Sequence, residues 1–203
     1  MDKNKKPEVR KVESTFEVRQ EEDGDNKLIT GYAAVTEDEA PEQLGFIEKI
    51  AEGAFENAIE NSDVRALFNH DPNYILGRQS AGTLSLEEDD TGLFYEIDPP
   101  DTTYANNLLE SLERGDIDES SFGFTVAEEK WDESGDIPVR TILAVEDLYD
   151  VGPVTRGWYP QTDSGVKSKR DVLREYKNQN KNSKKTKQIL EEVPKLLIKG
   201  VNF

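Results

Sequence analysis

Residues 82–97 read Gly82-Thr83-Leu84-Ser85-Leu86-Glu87-Glu88-Asp89-Asp90-Thr91-Gly92-Leu93-Phe94-Tyr95-Glu96-Ile97. Two alternating apolar/polar runs flank an acidic turn, the pattern of two half-buried strands joined as a β-hairpin. Working outward, Pro99-Pro100-Asp101-Thr102 ends the sheet. Thr103 to Arg114 then places Tyr104, Leu108, Leu109 and Leu112 at helical spacing, with Gly115 as a left-handed stop. Strands are expected at Ser121–Val126 and Pro138–Val145, the second continuing after a bend into Val151-Gly152-Pro153-Val154. Ahead of the hairpin, Thr15–Arg19 and Lys27–Val35 read as another strand pair around the acidic turn Glu21–Asn26. Glu48–Phe55 reads as a strand entering a short helix at Ala58-Ile59, and Arg65–Phe68 as a short buried strand. Many short strands with two or so helices give an α+β fold, expected as a small, mostly antiparallel β-barrel flanked by a few helices.

The chain has 203 residues, 34% hydrophobic and 33% charged, enough for one domain with additional polar segments. Residues 1–13 are polar and charged and read as a flexible arm; 14–165 are expected to form the folded domain. From about 166 to 203, Lys, Asn, Gln and Ser dominate, the composition of a basic and largely disordered tail. The net charge of −18 is therefore uneven: the acidic excess sits in the body and the tail is basic. Such a body repels nucleic-acid phosphates, so no nucleic-acid partner is expected. The tail reads first as solvated chain, with an acidic partner, an RNA or its own body as alternatives. No run approaches the roughly 20 apolar residues of a membrane helix, and the opening Met1-Asp2-Lys3-Asn4-Lys5-Lys6-Pro7 has no secretory apolar core, so a soluble intracellular protein without membrane attachment is expected.

With no cysteine and one histidine, His70, thiol nucleophiles and Cys/His zinc sites are excluded. Phosphate-cradling glycine loops, dinucleotide fingerprints and the Gly-x-Ser-x-Gly elbow are also absent. The acidic clusters Glu37-Asp38-Glu39 and Glu87-Glu88-Asp89-Asp90 lack cation-loop spacing and read as solvated turns; neither metal nor cofactor is expected. His70 ends the run Ala66-Leu67-Phe68-Asn69-His70-Asp71, and imidazole is the side chain that titrates nearest neutrality. Alone it reads first as a solvent-facing loop histidine, with the general base of a hydroxyl nucleophile as the alternative. Two segments could complete such chemistry. Gly115–Phe124 places Ser120 and Ser121 at the start of a strand, with Gly123 allowing close backbone approach or a bulge. Val145–Thr155 places Glu146, Asp147 and Asp150 along an apolar strand, where a carboxylate could orient an imidazole.

Taken in order, these motifs resemble the prohead (head maturation) serine proteases of tailed bacteriophages, distantly akin in fold to herpesvirus assemblin. The likeness spans roughly residues 14–165. It runs through Gly31-Tyr32-Ala33-Ala34-Val35, Glu52-Gly53-Ala54-Phe55, Phe68-Asn69-His70-Asp71, Leu76-Gly77-Arg78, Gly82-Thr83-Leu84, Gly92-Leu93, Gly115-Asp116-Ile117, Ser121-Phe122-Gly123-Phe124 and Asp147–Thr155. The last block departs from the Pro-Ala-Tyr-like run of relatives, reading Arg156-Gly157-Trp158-Tyr159-Pro160. The resemblance implies Ser121 as nucleophile, His70 as general base and Asp147 as the orienting acid, with Glu146 the alternative and Asp150 more distant. Thr155 and Arg156 are implied near the oxyanion. It further implies a serine endopeptidase in the host cytoplasm, inside the assembling procapsid, that cleaves scaffold, the amino-terminal segment of the major capsid protein, and itself. The portal and procapsid shell become neighbours, and a homodimer is compatible with the herpesvirus relatives. The alternative is a non-catalytic capsid-assembly module of the same fold.

Overall fold

A computed structural model describes residues 6–14, 16–20, 27–36, 45–155 and 170–181. The chain divides into two units, Met1–Lys167 and Ser168–Phe203. In the first, the strands are β1 (Glu8–Glu13), β2 (Glu17–Gln20), β3 (Lys27–Val35), β4 (Ile47–Ile50), β5 (Arg65–Leu67), β6 (Ile75–Arg78), β7 (Leu84–Glu88), β8 (Gly92–Ile97), β9 (Glu119–Asp132) and β10 (Val139–Val154). Helix α1 (Glu56–Asn61) lies between β4 and β5, and α2 (Thr103–Glu113) between β8 and β9. The α+β class matches expectation. The strands pair as two sheets, one in the order β1-β9-β10-β5-β6 with β4 also on β10, the other β2-β3-β8-β7. Pairing is antiparallel except where β10 meets β4 and β5. No ring of pairings closing these sheets into a barrel is found among the described residues.

The quoted hairpin is β7–β8, with Leu84 opposite Ile97 and Glu88 opposite Leu93. Its acidic turn is not merely solvated. The Glu88 carboxylate accepts the backbone N–H groups of Gly53 (3.0 Å) and Phe55 (2.9 Å), and burial pushes its pKa up. Asp89 accepts from Thr91 (2.8 Å), Gly92 (3.0 Å) and the Tyr32 hydroxyl (2.6 Å). Helix α2 buries Ala105, Leu108, Leu109 and Leu112 on one stripe, as the 3.6-residue period requires. Thr102 caps its start, and Gly115 (φ 73°) ends it, its N–H reaching the Leu112 carbonyl at 3.0 Å. The core between the elements includes Ile29, Phe55, Leu93, Tyr95, Ile97, Phe122, Phe124, Leu148 and Val151. Phe122 stacks on Phe124 (centroids 4.7 Å apart) and meets Phe55 edge-on at 5.5 Å.

Two expectations change. Residues 8–13, expected within a flexible arm, form β1, paired along its whole length with β9 from Glu8 opposite Phe124 to Glu13 opposite Glu119. Its charged composition hid it, because what orders this strand is a neighbouring edge and buried ion pairs rather than apolar alternation. Residues 170–181, expected within a disordered tail, form a helix, α3. The remainder of that tail, the turn Glu21–Asn26, the cluster Glu37-Asp38-Glu39 and Arg156 lie outside the described residues.

Candidate active site

Strand β10 lies between β9 on one edge and β5 on the other, so three neighbouring strands deliver three side chains to one place. Ser121 comes from β9. His70 comes from the loop after β5, where Asn69 and His70 both adopt left-handed backbone (φ 55° and 56°). Two such residues cost roughly 1–2 kcal/mol each, which the surroundings must offset. They do so through Asn69, whose N–H donates to the Pro153 carbonyl (3.1 Å) and whose Oδ1 accepts the Thr155 N–H (2.8 Å) and Oγ1–H (3.3 Å). The turn carrying His70 is thereby tied to the end of β10, and Asn69, not singled out from sequence, emerges as its anchor. Asparagine before histidine was the available signal, since Asn tolerates this conformation better than most residues.

The imidazole sits between two groups. Nδ1 contacts Asp150 Oδ1, and Nε2 lies 2.6 Å from Ser121 Oγ. The His70 side chain is 9% exposed and Asp150 17%, so their contact is shielded without being sealed. With the Nδ1 proton donated to the carboxylate, the Nε2 lone pair faces the hydroxyl and can accept its proton. Ser121 Oγ also lies 2.7 Å from the carbonyl oxygen of Arg10 on β1. Ser120 points elsewhere: its hydroxyl lies 3.0 Å from the Tyr95 hydroxyl and 3.2 Å from the Gly152 carbonyl. Burial pushes the Tyr95 phenol above its ordinary pKa, so this second cluster stays neutral.

Among the acids expected at the imidazole, Asp147 is not brought there. It stands opposite Thr125, whose hydroxyl lies 3.3 Å from its Oδ2 and accepts its backbone N–H at 3.2 Å. Asp150 stands opposite Gly123, two residues closer to Ser121 along β9. In a regular strand, positions 147 and 150 face opposite ways. Here the register shifts between Leu148 and Asp150, so the extra residue, Tyr149, turns Asp150 onto the Ser121 side. The signal was present as spacing: Ile142, Val145, Leu148 and Val151 are buried every three residues, which a period-two strand achieves only through bulges. Glu146 is a half-buried residue of β10 between Val145 and Asp147, while the imidazole bonds Asp150 and Ser121. Gly123 completes the fit, since a Cβ there would lie 2.9 Å from Asp150 Oδ2. The close approach expected at this glycine is that of the carboxylate.

Of the expected oxyanion residues, Thr155 gives its N–H to Asn69, and Arg156 is not described. Among the described residues no cluster of His, Asp or Glu is arranged to hold a metal ion. A serine hydroxyl, an imidazole and a carboxylate in line are the parts of nucleophilic acyl transfer. Comparison with curated proteins finds no match, and neither does comparison with solved structures. The family model of the caudovirus prohead serine protease does match, over residues 14–179, a span that contains His70, Ser121 and Asp150. This chain belongs to the caudovirus prohead serine protease family.

Proposed function

We propose that the chain is the serine endopeptidase of phage capsid maturation, with Ser121 the nucleophile, His70 the general base and Asp150 the orienting acid. The observation that carries this reading is the continuous Ser121–His70–Asp150 contact chain, built from β9, the loop after β5, and β10. At its own pKa the serine hydroxyl is a poor nucleophile. His70 Nε2 takes its proton as Oγ attacks the peptide carbonyl, and then gives that proton to the leaving amine. Asp150 keeps the Nδ1–H tautomer, the only neutral one whose Nε2 can act as a base, and stabilises the imidazolium as it forms. Water then hydrolyses the acyl-enzyme by the same proton relay. The substrates in this reading are the scaffold and the amino-terminal segment of the major capsid protein within the procapsid, and the chain itself.

Coexpression with capsid protein and scaffold tests the assignment. Mass spectrometry is expected to find a new amino terminus on the capsid protein that is missing when Ser121 is replaced by alanine. A capsid protein left intact by the wild-type chain would contradict the reading. Gly123→Ala provides a second check, since its Cβ displaces the Asp150 carboxylate from the imidazole. The expected result is cleavage slowed by about 10²-fold, the scale of a misplacement near 1 Å, with the fold retained by circular dichroism.

A further inference from the structure

β1 is the outermost strand of its sheet, so without it β9 would present an open edge beside Ser121. Open edges accept extended peptides as added strands, with backbone hydrogen bonds giving affinity and side-chain sites giving selectivity. β1 lies ahead of the residues matched to the family, and it occupies this edge in a particular register. Lys11 stands opposite Ser121, and the Arg10 carbonyl lies 2.7 Å from Ser121 Oγ.

The side chains of β1 are held by a charge pair belonging to the body. Glu48 on β4 and Arg140 on β10 face each other in register and bond at 2.7 Å (Arg140 Nη1 to Glu48 Oε2), independently of β1. Glu48 takes the Arg10 guanidinium through both of its oxygens, one of them 3.0 Å from Nη2. Arg140 takes the Glu8 carboxylate as a fork, with Nη1 to Oε2 at 2.8 Å and Nη2 to Oε1 at 3.0 Å. Phe124 lies under Arg10, its ring centre 5.8 Å from the guanidinium carbon. These four charged residues are buried. Glu8 and Arg10 also bond each other at 2.7 Å, and the more exposed Glu129 on β9 adds a third carboxylate, 2.7 Å from Arg140 Nε. Burial opposes both guanidinium charges, yet the surrounding carboxylates prevail and hold both pKa values above the ordinary arginine value. A pair of opposite charges this well shielded accepts only a segment whose own charges fall in the complementary order, because an unpaired or like charge in that site is costly.

We propose that the β9 edge is the substrate-docking edge, that β1 is its resident occupant, and that Glu48 and Arg140 determine specificity by reading an acidic residue two positions before a basic one. The substrate class is an extended peptide of the form Glu-x-Arg, its next residue opposite Ser121. The proposal rests on the protease reading of that site. β1 also restrains the nucleophile. The Ser121 hydroxyl carries one proton, and the Arg10 carbonyl competes with His70 Nε2 for it. The docked strand therefore both fills the edge and draws the proton away from the base.

The test reads binding rather than cleavage. A fluorescein-labelled peptide Lys-Pro-Glu-Val-Arg-Lys-Val-Glu-Ser, copying residues 6–14, is titrated by anisotropy into the full chain carrying Ser121→Ala. The same titration is made with Glu8→Ala and Arg10→Ala added to loosen β1. The loosened chain is expected to bind at least about tenfold more tightly, and a peptide with its Glu and Arg exchanged is expected to lose that gain. No binding by the loosened chain, or equal binding of the exchanged peptide, would overturn the proposal. Should the loosened chain fail to fold, hydrogen exchange on the Ser121→Ala chain decides. Saturating peptide is expected to speed exchange of the Val9–Val12 amides, and unchanged protection would overturn the proposal. Because no arm depends on turnover, a chain that binds the peptide but leaves capsid protein uncut would sink the protease reading alone.

Discussion

Replacing Ser121 by alanine is expected to lower the rate of capsid-protein cleavage by at least about 10⁴-fold, and His70→Ala by a similar factor. The two effects should not add. Each substitution disables the same proton transfer, because the hydroxyl lies 2.6 Å from Nε2 and no second histidine exists to replace it. The double variant should therefore be about as slow as either single one, as expected for residues acting as one unit. Ser120→Ala provides the contrast. Its hydroxyl is bonded to Tyr95 and Gly152, away from the imidazole, so cleavage should persist. Initial rates from gels of purified chain and capsid protein measure all four. A Ser120→Ala chain as inactive as Ser121→Ala would reverse the assignment of the nucleophile.

Asp150→Asn is expected to lower the rate by about 10⁴-fold while Asp147→Asn changes it only a few-fold. The carboxylate can only accept, so it fixes the proton on Nδ1 and leaves Nε2 free to act as base. An amide in the same place can turn its NH₂ toward Nδ1, which puts the ring proton on Nε2 and removes the base without moving the ring. Asp147 touches Thr125 instead, so neutralising it leaves the imidazole as it was. Circular dichroism should show both variants folded, which separates loss of the proton relay from loss of the fold. Equal losses in the two variants would contradict the geometric assignment.

Much of the fold is legible in the chain because it rests on local rules. The β7–β8 hairpin follows from strict alternation about an acidic turn, and α2 from a leucine stripe closed by Gly115. His70 stands out as the single histidine, and Ser121 is what the resemblance to the prohead proteases implies from the Phe-Gly-Phe that follows it; the structure brings the two side chains to 2.6 Å. The third residue was not legible. A bulge at Tyr149 puts both Asp147, opposite Thr125, and Asp150, opposite Gly123, on the Ser121 face, so the choice between them rests on their distance from Ser121 along β9. The three-residue spacing of Ile142, Val145, Leu148 and Val151 signals the bulges, but only once β9 is known to pair along the whole strand. β1 was illegible for a different reason. Glu8-Val9-Arg10-Lys11-Val12-Glu13 resembles solvated chain until Glu48 and Arg140, more than 30 residues away, supply its countercharges. The role of Gly123 is likewise tertiary, since the group that needs the space is Asp150 on the next strand.

The most direct measurement of the central claim is to find which side chain is the activated nucleophile. The full chain is incubated with excess fluorophosphonate, which phosphonylates a serine only where a base removes its proton, and the adduct is mapped by peptide mass spectrometry. Local opening of β1 gives the reagent access over a long incubation. The account predicts one adduct, on Ser121, absent from the His70→Ala chain and strongly slowed in Asp150→Asn. An adduct on Ser120, or labelling of Ser121 that is indifferent to His70, would contradict it.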